Sequence, residues 1–243
     1  MPGLGRVTYA QPALAHPRPR SVRVVTSGDG YVLEFTARTL PSHLTPFRLI
    51  SLVMVVLAVS VALAAATTKD RMWWTEAFSR LGVFGDLSSW AFNGGLVASG
   101  AFAVVFALRF RMDLIRLRRR GVSRAAAAII PVLCIVAGAG IAAVGFIPES
   151  ANRSLHDASA MTMAAAFTGL VLTSPWLLRR FRLGAQVPAA VCGMVFVATA
   201  IAYAGGAMTL ALFELIMFVL FFAWLGAVSH GGHRLLNGKG RRR

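Results

Sequence analysis

Residues 126–147 read Ala126-Ala127-Ala128-Ile129-Ile130-Pro131-Val132-Leu133-Cys134-Ile135-Val136-Ala137-Gly138-Ala139-Gly140-Ile141-Ala142-Ala143-Val144-Gly145-Phe146-Ile147, an uncharged run on which the reading of the whole chain turns. A helix of that length at about 1.5 Å per residue is roughly 33 Å long, enough to cross about 30 Å of hydrocarbon. Before it stand Arg109, Arg111, Arg116, Arg118, Arg119, Arg120 and Arg124; after it comes Pro148-Glu149-Ser150. An apolar run with cations at one end and an acid at the other predicts an oriented transmembrane helix.

Working outward, similar runs lie near 47–67, 90–110, 158–178, 187–206 and 207–230, so the sequence predicts six spans. The last two are joined only by Ala204-Gly205-Gly206-Ala207, where glycine permits a tight reversal. The chain is 57% hydrophobic and 14% charged, with a mean hydropathy of +0.67. This lies outside the balance of a soluble domain. The expected fold is an all-α polytopic membrane bundle at residues 47–230, with an N-terminal tail at 1–46 and a basic C-terminal tail at 231–243.

The N-terminal tail differs from the rest in its six prolines and lack of any long apolar run. Within it, Val22-Arg23-Val24-Val25 and Tyr31-Val32-Leu33-Glu34-Phe35 flank Ser27-Gly28-Asp29-Gly30, the pattern of a short β-hairpin. An isolated hairpin is marginal in water, so a disordered tail is the alternative. Val61-Ala62-Leu63-Ala64-Ala65-Ala66 also has the small residues of a signal-peptidase site, which would leave five spans. A long proline-rich leader before it is unlike the usual charged segment of a signal peptide and argues against cleavage.

Sidedness comes from the basic residues. With the N-terminus inside, 21 of the 25 fall in the tail, after the second and fourth spans, and at the C-terminus; only Lys69, Arg71, Arg80 and Arg153 lie outside. Cytoplasmic segments are enriched in Lys and Arg, so both termini are expected in the cytoplasm. Lysine is scarce while Arg, Ala and Val abound, as in GC-rich bacterial genomes, which points to a bacterial cytoplasmic membrane. A net charge of +16 would suggest nucleic acid in a soluble protein. Here the arginines, including the run from Arg116 to Arg120, sit beside apolar segments and read as topology and contact with anionic headgroups. Trp73, Trp74, Trp90 and Trp176 lie near span ends, as interfacial anchors do.

Cys134 and Cys192 both fall inside apolar spans and act as small hydrophobes; neither a disulfide nor a cysteine metal site is expected. Small residues at Gly94-Gly95, Ser99-Gly100, Gly138-Ala139-Gly140 and Gly145 are explained by helix packing in lipid. Glu214 stands apart as the acid well inside a span, seven residues past the expected start of the sixth, about 10 Å below the outer boundary. A carboxyl at that depth marks a pocket shared with a partner such as His156, or a structural interhelical hydrogen bond. On the expected outer side, Ser79-Arg80-Leu81-Gly82, Asp86, Asn93, Glu149, His156 and Asp157 lie close to span ends. Ser79, Asp86, Asn93, Glu149, His156, Asp157 and Glu214 are therefore the candidate ligand-binding residues, with separate solvated loop residues as the alternative. His230-Gly231-Gly232-His233 is a poor metal set, lacking a nearby Cys, Asp or Glu.

Ser79-Arg80-Leu81-Gly82, Trp90-Ala91-Phe92-Asn93-Gly94-Gly95-Leu96, Gly145-Phe146-Ile147-Pro148-Glu149 and His156-Asp157-Ala158-Ser159-Ala160 carry a family pattern. Over roughly residues 47–230 the chain resembles the bacterial membrane proteins called domain of unknown function 998. The resemblance implies six helices and says little about activity. A looser similarity is to multi-span hydrolases that include alkaline ceramidases, with a Ser, an Asp and three His around a metal. The expected topology puts His156 outside and His230 and His233 inside, separated by roughly 30 Å of bilayer, which argues against a shared ion.

Three functions follow as expectations: binding of a lipid or small amphipathic ligand in an outer polar pocket, assembly with another membrane protein, and metal-dependent hydrolysis. The expected partners are membrane lipids and a membrane-protein partner rather than nucleic acid, with no cofactor and no catalytic set.

Overall fold

A computed structural model of the chain describes residues 45–120, 122–177 and 183–237. The hairpin expected at 22–35 and the basic residues at 178–182 and 238–243 lie outside the described residues. Six α-helices are present among the described residues: α1 (Pro46–Thr67), α2 (Leu87–Leu117), α3 (Arg124–Phe146), α4 (Arg153–Leu177), α5 (Leu183–Ala204) and α6 (Leu210–Asn237). There is no strand among the described residues. Five of the six, α1, α2, α3, α4 and α6, are long and apolar enough to cross a membrane; in α5 the apolar stretch Ala190–Ala204 is shorter.

Five helix starts are set by a side-chain acceptor placed where the first turn leaves backbone N–H groups without partners. The Thr45 hydroxyl accepts from the Arg48 N–H at 3.3 Å, and Asp86 Oδ1 accepts from the Ser89 N–H at 3.2 Å. Ser123 Oγ accepts from the Ala126 N–H at 3.0 Å, Asn152 Oδ1 from the Leu155 N–H at 3.0 Å, and Thr209 Oγ1 from the Leu212 N–H at 3.2 Å. Several boundaries differ from their expected positions, as where α4 opens at Arg153, behind the Asn152 cap, rather than at 158. Helix α2 runs for 31 residues, well past 110, because Asp113, Leu114 and Leu117 face the core. Helix α6 opens at Leu210 rather than 207, since the reversal runs through Gly206, at φ +73°, and on to the Thr209 cap. Glu214 consequently sits about one turn inside its helix, not two.

The closest packing is of α3 on α2 and α4, and of α2 on α1; α6 packs on α5, and the contacts of α6 with α1 and α2 and of α5 with α4 are smaller. Close approach depends on missing side chains. A methyl on Gly100 would lie 2.5 Å from the Gly138 carbonyl, and one on Gly145 would lie 2.5 Å from the Asn93 carbonyl, so α2 and α3 meet backbone to backbone. Gly95 receives Ser60 of α1, and Gly140 receives Met163 of α4. Large apolar side chains fill the rest: Ile50, Phe106, Phe110, Leu114, Ile130, Ile141, Leu170 and Trp224 are fully buried. Phe106 and Phe110 stack at 5.4 Å. Trp224 of α6 donates its indole N–H to Ser174 Oγ of α4 at 3.0 Å, satisfying a polar atom inside the bundle.

The α1–α2 connection is folded rather than loose. Trp73 stacks on Phe78 at 5.6 Å, and Phe78–Gly82 forms a 3-10 turn. Arg80 bridges Asp70 (2.7 Å) and Glu76 (2.5 Å). Three hydrogen bonds then fasten this connection to the start of α6: Thr209 Oγ1 to the Trp74 carbonyl (3.3 Å), the Ala211 N–H to the Glu76 carbonyl (3.1 Å) and the Phe78 N–H to Glu214 Oε2 (2.8 Å).

Candidate functional site

Beneath that connection lies a partly open cavity of about 660 Å³ lined by α2, α3, α4, α5 and α6. Its position follows from the packing. Helix α4 leans on α3 while α6 leans on α1 and α5, so a space is left between α4 and α6. At the connection end the lining is polar, with Ser79, His156, Asp157, Tyr203 and Glu214. Deeper in, Met163, Phe196, Met217 and Phe218 make the walls. The floor is an aromatic cluster in which Phe167 of α4 meets Phe196 of α5 (5.7 Å) and Phe221 of α6 (5.0 Å) edge to face. Phe167 follows His156 by eleven positions, so the cavity is about 16 Å deep at helical rise. Below the floor the Trp224–Ser174 contact closes the bundle.

The structure brings four of the seven candidate residues to this one cavity, Ser79, His156, Asp157 and Glu214. The other three are engaged elsewhere. Asp86 caps α2 and accepts from both Ser88 Oγ (2.5 Å) and Ser89 Oγ (3.2 Å). Asn93 donates to the Gly82 carbonyl at 3.0 Å, tying α2 to the 3-10 turn. Glu149 faces Arg153 at 3.6 Å on the surface.

Two of the polar lining groups, His156 and Glu214, are hydrogen-bonded from behind. The His156 ring is 6% exposed and its Nδ1 lies 2.8 Å from the Ile147 carbonyl. A carbonyl can only accept, so Nδ1 carries a proton, and the tautomer that donates there has its acceptor lone pair on Nε2. Glu214 spends Oε2 on the Phe78 N–H. Asp157 is largely exposed and lies 3.8 Å from Arg153. Tyr203 stacks on Phe213 at 4.9 Å beside the mouth.

Two carboxylates outside the membrane-spanning helices depart from ordinary acidity. The Arg80 guanidinium, hydrogen-bonded to Asp70, holds that carboxyl below the usual aspartate range against the opposing effect of burial. Asp86 is lowered first by the Ser88 hydroxyl and then by the Ser89 N–H. Both hold the connection in shape rather than face the cavity.

Sequence reading overlooks three features. Asp113 is buried, and it pairs with Arg116 at 3.3 Å; the apolar positions 114 and 117 beyond Arg109 signal that α2 continues. Tyr203 reads as an ordinary span residue and lines the mouth. The Phe78 N–H, as Glu214's partner, has no sequence signal. His230 meets Phe47 at 6.0 Å at the end of the bundle opposite His156. No cluster of three or more His, Cys, Asp or Glu suited to a metal occurs among the described residues.

A bundle of long apolar helices with a cavity walled by five of them is the architecture of a multi-pass membrane protein. Residues 52–231 match the family described as Protein of unknown function (DUF998), and the chain belongs to it. No curated protein and no solved structure matches the chain.

Proposed function

We propose that this protein binds a lipid or small amphipathic ligand in the cavity between α4 and α6. The observation that carries this reading is one space that is polar at His156 and Glu214 and apolar down to the Phe167 floor. Its volume of about 660 Å³ falls within the roughly 300–1,000 Å³ of small-molecule sites. The polar groups lie at one end, as a headgroup at the interface requires, and the Met and Phe walls suit a tail. We place the protein in a bacterial cytoplasmic membrane with six crossings and both termini in the cytoplasm, on the strength of the arginine distribution.

Purified protein in neutral detergent should gain thermal stability from some member of a panel of lipids and one-tailed amphiphiles, since ligand bound only to the folded state at about 100 times its Kd adds about 2.7 kcal/mol. Glu214→Gln and His156→Ala should alter that gain. Ala164→Phe, which fills the cavity from α4, should remove it while leaving unliganded unfolding near wild type. An unchanged midpoint across the whole panel would overturn the reading.

A second reading, assembly with another membrane protein, rests on a groove of about 510 Å³ between α4 and α5 lined by Val171, Leu172, Gly193, Met194 and Val197. A stoichiometric partner in mild detergent, lost on Gly193→Leu, supports it; a clean monomer or homodimer counts against it. The hydrolase reading needs histidines to converge. His230 follows Glu214 by sixteen residues on one helix, about 24 Å along the axis, so it cannot join His156 on one ion.

A further inference from the structure

The chain carries 25 basic and 9 acidic residues. Two of those acids, Asp157 and Glu214, line the cavity, and no Lys or Arg does among the described residues. In a protein this basic, that exclusion bears on what the cavity takes.

The third group is His156, buried and anchored through Nδ1 to the Ile147 carbonyl, so that in the neutral ring Nε2 is a lone-pair acceptor in the cavity wall. Glu214 has Oε1 available beyond the Oε2 that receives the Phe78 N–H. Asp157 adds carboxylate oxygens at the mouth. Arg153, 3.8 Å from Asp157, is 78% exposed at its side chain and lies outside the cavity lining, so water screens its charge. A fatty acid or phosphate ester would present acceptors to acceptors here and desolvate an anion beside the Asp157 carboxylate. A group with several N–H donors and a positive charge meets the set directly.

Depth sets the other end. About 16 Å from His156 to Phe167 is close to half of the roughly 30 Å hydrocarbon thickness, so the apolar part matches a tail that reaches through one leaflet.

From these relationships we infer that the ligand is an amphiphile with an ammonium headgroup, held by Glu214, Asp157 and His156 Nε2, and an alkyl tail seated against the Phe167 floor. This rests on the amphiphile-binding reading above and names its chemical class.

The test compares three one-tailed probes of equal length, radiolabelled dodecylammonium, dodecanol and dodecanoate, by scintillation proximity on the full chain in neutral nanodiscs. Ala164→Phe protein defines binding outside the cavity. Dodecylammonium should bind at least tenfold tighter than dodecanol, with dodecanoate weakest. Asp157→Asn and Glu214→Gln together should bring dodecylammonium to within about twofold of dodecanol measured on the same variant; dodecanol binding above the Ala164→Phe background shows that the variant is folded. Asp157→Asn alone, at an exposed position, should give part of the loss. Equal binding of all three probes, or a preference for dodecanoate, overturns the headgroup inference and leaves the amphiphile reading standing. No binding above the Ala164→Phe background overturns both.

Discussion

Glu214 Oε2 accepts the backbone N–H of Phe78 at 2.8 Å, joining residues 136 positions apart in the chain. A carboxylate one turn into α6 thereby holds the 3-10 turn that roofs the cavity. A buried N–H left without a partner costs about 1–3 kcal/mol. Glu214→Leu should lower thermal stability by an amount in that range, and Glu214→Gln, which keeps a carbonyl acceptor, should lose less. Unfolding midpoints in a single detergent check the order, and equal loss from both variants would mean that the hydrogen bond is not what the carboxylate contributes.

Gly100 and Gly94 lie on the same helix and should respond oppositely. A side chain on Gly100 meets the Gly138 carbonyl and Ala142, whereas a methyl on Gly94 meets nothing within 4 Å. Gly100→Val forces α2 and α3 apart at a cost of about 1–3 kcal/mol or more. Gly94→Ala should change stability by no more than about 0.5 kcal/mol. Comparable destabilisation by both would show that the α2–α3 contact is looser than the backbone approach implies.

The Trp224–Ser174 hydrogen bond joins the two helices below the cavity floor. A double-mutant cycle with Trp224→Phe and Ser174→Ala should show coupling of about 1 kcal/mol. Additive losses would assign Trp224's contribution to its burial alone.

Acid should loosen the α1–α2 connection. Arg80 holds Asp70 below its ordinary pKa, and hydroxyl and backbone donors do the same to Asp86. A carboxylate lowered in the folded state contributes stability that is fully present above its unfolded pKa, about 3.9, and is lost as pH falls through the lowered folded value. Stability should therefore be insensitive to these two groups near neutral pH and fall as pH drops below about 4. Asp70→Asn should be less stable at neutral pH and show a shallower acid loss. An unchanged acid slope in that variant would remove Asp70 from the account.

Sidedness is open to labelling, because the native Cys134 and Cys192 are both buried in helices. Ser150→Cys and Arg119→Cys occupy exposed positions at opposite ends of the bundle. In intact cells an impermeant maleimide should reach residue 150 at once and residue 119 only after permeabilisation. The reverse pattern would invert the topology.

The apolar run at 126–147 and the arginines before it were sufficient, read alone, to establish an all-helical membrane bundle. Hydrophobic length and charge at helix ends are local quantities, and the bilayer imposes them segment by segment. Helix starts were equally local: Thr45, Asp86, Ser123, Asn152 and Thr209 stand where they can cap, although hydropathy by itself placed several boundaries three or more residues away. Glu214 and His156 were legible as candidates because a carboxyl or imidazole near the membrane needs a reason to be there. Which candidates share a space depended on the tertiary structure. Asp86, Asn93 and Glu149 resemble Ser79, His156 and Asp157 in sequence, yet the first three go to a cap, a turn and a surface pair while the others meet Glu214 around one cavity. That division comes from how closely α2 and α3 approach through Gly100, Gly138 and Gly145, and from the space left between α4 and α6 above their Phe167–Phe221 and Ser174–Trp224 contacts. Neither can be read along a single helix, because each is a relation between residues far apart in the chain.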